Sequence, residues 1–373
     1  MEANLHQHWT HRSPNLDVLL VFPRADQFNH RKVSVVRTRF FNLVLSFVVM
    51  SMLQGVEASA QTRARNTAAV NDGLLSALPQ SDAIAHVKIR RVLNDVMPKL
   101  LAENPTRAAD MNAEIEKFKT RTGLDPRQFE TVALGMRYTY PSEGVTKINT
   151  VALANGTFNA NAMVAAGRIA ADGHYREEKY ANRTIYIFRL DEKIKVFGLF
   201  GLSIGELAAC PLDANVLALS DPVSIHSVID AYQKRSPVNS ELIELASRDP
   251  NAIIGFGGNL SPEVLKNLDL GNASIQNDLS GVRQVYGNVG ASATDVDLFI
   301  AAKTINADAA RNLGDTLEGL KQLGALFIGR LSGARGVLAR SALSNLKVVT
   351  QANELQIRTS VAQSQIAPLI GGK

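Results

Sequence analysis

Gly201-Leu202-Ser203-Ile204-Gly205 has the G-x-S-x-G spacing of a nucleophile elbow, in which a strand delivers a serine to a sharp turn and a helix leads away. Such a serine attacks an acyl carbon only when a histidine takes its proton and an acid orients that histidine. Downstream of Ser203 the chain offers His226 alone, five residues after Asp221 in one predicted helix, and Pro211 cuts short any helix that starts at Glu206. The stretch therefore reads first as a hairpin turn, with a serine hydrolase using Ser203 as the enzymatic alternative. Ser344-Asn345-Leu346-Lys347 matches the S-x-x-K of penicillin-binding enzymes, but neither S-D-N nor K-T-G accompanies it and Leu346 to Val349 reads as a strand. Gly255-Phe256-Gly257-Gly258-Asn259 has Leu260 where a dinucleotide loop has its third glycine, so it reads as a tight turn rather than a phosphate cradle.

Metal chemistry has little to work with. Beyond the first 36 residues the histidines are His86, His174 and His226, and the single cysteine is Cys210; none stands at a ligand spacing from another. The acidic pairs Glu177-Glu178 and Asp191-Glu192 are neighbours on strand-like segments, so the two carboxylates of each pair point to opposite faces instead of converging on one atom. No catalytic, cofactor-binding or metal residue is assigned, and no cofactor is expected. One surface pattern does suggest binding: Lys321, Arg330, Arg335 and Arg340 punctuate an apolar stretch containing Leu323, Leu326, Phe327, Ile328, Leu331, Val337 and Leu338. Helices packed on a sheet are the first reading of that stretch, and contact with an anionic membrane surface is the second.

The elements that must position these residues belong to a chain of 373 residues, 46% hydrophobic and 20% charged, which excludes disordered and collagen-like classes. The formal charge of +5 is mild and mixed along the chain, without the clustered basic face that nucleic acid requires. One cysteine excludes an internal disulfide, so stability rests on the core.

Export is expected from the N-terminal third. Arg31, Lys32, Arg37 and Arg39 precede the apolar stretch Phe40 to Val56, and Ala58-Ser59-Ala60 follows. Basic, apolar and small-x-small in that order is a secretion signal, here spanning 37–60, with cleavage after Ala60; an uncleaved membrane anchor is the alternative. Residues 1–36 hold Trp9 and the histidines His6, His8, His11 and His30, and read as an extension that is no domain. Residues 61–75 read as a flexible leader.

The rest reads as α+β in two related halves, 76–235 and 236–373, each a mainly antiparallel sheet with helices on one face, like a split β-α-β unit with additions. Asp82 to Ile89, Thr131 to Tyr140, Lys147 to Leu153, Thr184 to Leu190, Lys193 to Phe200 and Asn215 to Ser220 read as strands of the first half. Helices are expected over Arg91–Ala102, Arg107–Thr122 and Phe158–Ala171, and from Asp221 to about Tyr232. Three echoes suggest duplication: Asp82-Ala83-Ile84 with Asn251-Ala252-Ile253, Phe158-Asn159-Ala160-Asn161-Ala162 with Ile305-Asn306-Ala307-Asp308-Ala309, and Ala214-Asn215 with Ala352-Asn353. The helical stretch from Asn306 to Ser341 is longer than its counterpart.

With its late export signal and these repeated patterns, the chain resembles uncharacterised exported bacterial proteins over most of residues 75–370. The resemblance implies an envelope location and transfers no catalytic residue. The expected function is non-enzymatic binding or scaffolding in the envelope, to a partner the sequence does not name.

Overall fold

The computed structural model describes residues 73–369 except 103, 123–124, 143–144, 190–193, 197–199, 203–204, 236, 267–272 and 293. The expected extension, secretion signal and nearly all of the leader lie outside the described residues, as do Ser203 and the Asp191-Glu192 pair.

Alternating apolar residues and tight turns produce fourteen strands among the described residues. In the first part of the chain these are β1 (Ala83–Val87), β2 (Phe129–Ser142), β3 (Val145–Gly156), β4 (Tyr175–Tyr180), β5 (Arg183–Arg189), β6 (Ile194–Val196), β7 (Phe200–Leu202), β8 (Glu206–Asp213) and β9 (Val216–Ser220). The remainder are β10 (Ile254–Asn259), β11 (Val282–Ala291), β12 (Asp295–Thr304), β13 (Lys347–Gln351) and β14 (Glu354–Ala362). Twelve of them form one antiparallel sheet in the order β13-β14-β12-β11-β10-β1-β2-β3-β9-β8-β5-β4, while β6 and β7 pair apart from it. The protein is thus α+β with a single large antiparallel sheet. The seam is the β1–β10 pairing, from Ala83 opposite Gly258 to Val87 opposite Ile254, and it merges the two expected sheets into one.

The longer helices are α1 (Pro105–Thr122), α2 (Ala160–Ala170), α3 (Ile225–Tyr232), α4 (Ser240–Ala246), α5 (Ala307–Ile328) and α6 (Gly333–Ser344). They cover both faces of the sheet, not one. Ile225, Ile229 and Leu242 of α3 and α4 pack with Ile84, Leu153, Ile187 and Ala218. On the opposite face Met163 and Val164 of α2 pack with Ala154, Phe188 and Leu217, the adjacent residues in the same strands. Because neighbouring side chains in a strand point to opposite faces, a strand buried throughout, such as β1, needs cover on each side. Leu313 of α5 joins Val282 and Leu355, and Leu338 and Ala342 of α6 pack on the cluster of Val289, Leu298 and Val361.

One expectation about glycine is corrected. Gly255 to Asn259 is no turn but strand β10, where small residues are required by close approach. A Cβ at Gly255 would lie 1.9 Å from the Ala246 carbonyl oxygen of α4, and one at Gly258 would lie 2.8 Å from the Ala83 Cβ. No helix starts at Glu206, in keeping with the expectation, and Pro211 lies within a strand instead. It sits in β8 at a register shift between Pro211 and Asp213, where a missing N–H costs the ladder nothing.

Candidate functional site

The most distinctive surface is the hairpin of α5 and α6. Asn306 caps α5 by accepting a hydrogen bond from the Ala309 N–H at 2.8 Å. Its buried residues, Ala310, Leu313 and Gly314, lie near that end, while Gly324 faces Leu343 of α6. Its last turns carry apolar side chains into solvent, with Leu323 53% exposed, Leu326 73%, Phe327 60% and, after the turn, Leu331 49%. At 1.5 Å per residue, the distance from Gly314 to Ile328 amounts to about 20 Å of helix with no buried residue.

The return turn is held locally. Gly333 takes φ +68°, in the left-handed region. Gly336 passes so close to Leu331 that a Cβ there would stand 2.1 Å from its carbonyl oxygen. Arg340 Nη1 donates to that oxygen at 2.9 Å, and the Arg330 guanidinium lies 5.6 Å from the centre of the Phe327 ring. Between Glu318 and Glu354 the sequence contains Lys321, Arg330, Arg335, Arg340 and Lys347 and no carboxylate. The hairpin tip is therefore apolar and cationic together.

The sequence-derived chemical candidates do not converge. Gly205 leads into strand β8 and not into a helix, so the elbow's strand-turn-helix frame is missing around position 203. Ser344 ends α6 with its hydroxyl donated to the Ser341 carbonyl at 2.9 Å, and Lys347 begins β13. Glu177 and Glu178 point apart as expected: Glu177 meets Arg168 of α2 at 3.3 Å, and Glu178 meets His226 of α3 at 2.6 Å. The His226 ring stacks on Tyr180 at 4.1 Å, and the Tyr180 hydroxyl donates to Asp230. His174 is exposed in a turn. Cys210 is buried, and that burial pushes its thiol up to about 11, away from nucleophilic use. Among the described residues no group of three His, Cys, Asp or Glu is placed to hold a metal.

His86 is the unusual histidine. It is 2% exposed at the seam, and neither ring nitrogen has a hydrogen-bond partner. Burial, reinforced by the nearby Lys88 charge, lowers it from 6.5 to about 4. Lys88 is itself buried and donates to the Pro250 carbonyl at 2.6 Å; burial first, and Arg91 second, bring its ammonium down to about 8.

A polar cleft that sequence reasoning missed lies at the other end of the seam. It has a volume of about 280 Å³ and is lined by Gln80, Ser81, Asp82, Arg137, Pro237, Asn239 and Asn259. Its parts come from four separate stretches of chain, so no local spacing announces it.

No family model matches the chain, and no curated protein matches it. Three crystal forms of TP0453 are similar in structure. Form III has 8% identity and a TM-score of 0.43, covering 79% of this chain and 96% of that one. Form I has 9% identity and a TM-score of 0.40, covering 80% and 96%. Form IV has 8% identity and a TM-score of 0.41, with the same coverage as form I.

Among the described residues no helix is long and apolar enough to cross a membrane.

Proposed function

We propose that this chain is an exported envelope protein that acts by binding rather than catalysis, and that the α5–α6 hairpin seats it on an anionic membrane surface. The observation that carries this reading is the coincidence, in one helical hairpin, of exposed Leu323, Leu326, Phe327 and Leu331 with Arg330, Arg335 and Arg340 and no carboxylate between Glu318 and Glu354. A secretion signal at 37–60 is the sequence feature that favours the envelope.

The magnitudes decide what kind of contact this is. Fully burying a Leu or Phe is worth about 1.5–3 kcal/mol, and these four are about half exposed, so the tip offers on the order of 4 kcal/mol. Association costs about 4 kcal/mol or more, so apolar contact alone does not hold the protein. A cation at an anionic surface adds about 1 kcal/mol, so Arg330, Arg335 and Arg340 supply about 3 kcal/mol. The result is reversible, salt-sensitive, peripheral association.

We further propose that the body consists of two related halves. The sheet order reads outward alike from the seam: β1, β2, β3, β9, β8 on one side and β10, β11, β12, β14, β13 on the other. Asn159 and Asn306 cap matching helices after β3 and β12. Ala214-Asn215 and Ala352-Asn353 turn matching hairpins. The first sequence echo fits less well, since a two-fold relation about the seam makes Ala83 the equivalent of Ile254 and not of Ala252.

Co-sedimentation of the processed chain, starting at Gln61, with phosphatidylcholine vesicles, with and without phosphatidylglycerol, tests the membrane reading. Binding is expected only with the anionic lipid and is expected to fall with salt. Replacing Arg330, Arg335 and Arg340 by Gln should lower the partition coefficient about a hundredfold. Equal binding to neutral vesicles, or none to anionic vesicles at low salt, refutes the assignment.

A further inference from the structure

The cleft beside the seam is walled by side chains whose free groups can be deduced one at a time. Asn239 caps α4, its Oδ1 accepting the Glu241 N–H at 2.9 Å, so its amide NH2 is the group left to a ligand. Asn259 Oδ1 accepts from Gln284 Nε2 at 3.0 Å, which likewise leaves the Asn259 NH2. Arg137 is exposed on β2 and pairs with no carboxylate among the described residues. Three donor groups, one of them a full positive charge, therefore line one cavity.

The single acid in the wall is Asp82. Its Oδ2 accepts the Tyr138 N–H at 2.7 Å, which holds the carboxylate in place, while Oδ1 remains an acceptor. The backbone fixes this geometry from both sides: the Asp82 N–H bonds to the Met136 carbonyl at 2.8 Å and the Asp82 carbonyl accepts the Asn259 N–H at 2.7 Å. Across the opening, the 237–239 stretch is tied to the body by the Val238 N–H on the Leu78 carbonyl at 2.9 Å. The cleft thus presents a guanidinium and two amide donors beside one carboxylate acceptor, and about 280 Å³ suits a molecule of a few heavy atoms.

We infer that this cleft binds a small zwitterion of the α-amino-acid class, with its carboxylate on Arg137 and the two asparagine amides and its ammonium on Asp82. An anion without an ammonium leaves the Asp82 Oδ1 with no donor from the ligand, and a cation without a carboxylate leaves the Arg137 guanidinium with no ligand anion. A ligand carrying both charges a few bonds apart meets both groups at once.

The test is isothermal titration of the full-length chain with a panel of the common amino acids, followed by the N-acetyl and carboxamide derivatives of whichever binds. At least one free amino acid is expected to bind, and each blocked derivative to bind at least about tenfold more weakly. Arg137→Gln and Asp82→Asn should each weaken binding by a similar factor, whereas Arg335→Gln, on the hairpin, should not. Both cleft variants are expected to fold, because Arg137 is exposed and Asn at position 82 still offers an oxygen to the Tyr138 N–H. Thermal melts check this. The inference is overturned if no amino acid binds, if Arg137→Gln leaves affinity unchanged, or if acetate displaces the amino acid as well as its own kind does.

Discussion

Acidification should destabilise this protein through His86 before most carboxylates titrate. The ring is buried at the β1–β10 seam without a hydrogen-bond partner, and its folded value falls from 6.5 to about 4. A base whose folded pKa is depressed binds its proton first in the unfolded chain. The stability it contributes is therefore complete above pH 6.5 and is lost as pH falls toward 4. At 1.36 kcal/mol per unit, the loss is about 3 kcal/mol, a large part of the 5–15 kcal/mol that folded domains usually have. Urea unfolding at a series of pH values from 7.5 to 4 measures it, with His86→Leu as the reference. Carboxylates titrate in both proteins and cancel in the difference, so the stability gap should move in favour of the Leu variant by about 3 kcal/mol across that range. At pH 7 the variant also removes two unsatisfied nitrogens, and the site has little spare room, since a Cβ at Gly255 would lie 2.7 Å from the His86 ring. The packing cost is a constant offset and does not alter the pH slope. Parallel stability curves for the two proteins would refute the claim that His86 is held neutral by burial.

Two further substitutions probe the frame. Gly255→Ala sets a methyl group 1.9 Å from the Ala246 carbonyl oxygen, backbone against backbone; a loss of about 3 kcal/mol or more in denaturant melts is expected, and a loss under about 1 kcal/mol would show that α4 moves aside easily. Asn306→Ala removes the Oδ1 that accepts the Ala309 N–H; it should cost about 1 kcal/mol by the same melts, and Asn306→Asp should restore most of it.

How far this protein can be read without coordinates differs from element to element. Asn159 and Asn306 were legible because an N-cap is a contact within four residues, and each side chain accepts an N–H of the first turn that follows it. The hairpin of β2 and β3 was legible because alternating apolar residues flank a turn-forming segment at 141–144. The opposed directions of Glu177 and Glu178 followed from strand geometry alone. Gly255-Phe256-Gly257-Gly258 was not legible, because glycine is there to admit the α4 backbone, a neighbour that local pattern does not reveal. The place of Pro211 in a strand was hidden for a related reason: only the register against β9 makes it a bulge residue. Asp82, Arg137, Asn239 and Asn259 share a cleft only because the start of β1 and the end of β10 lie beside the middle of β2 and the first turn of α4.

The sequence by itself determined the α+β class, the Asn caps and the apolar-basic character of residues 321–340, since each is set by residues within a turn or a strand of one another. Tertiary structure alone decided that the strands join through the β1–β10 seam into one sheet, that helices cover both faces, and that the far end of α5 stays in solvent. Those outcomes depend on which apolar surface finds a partner. Pairing across distant segments is a competition among whole faces for burial, and it has no local signature in the chain.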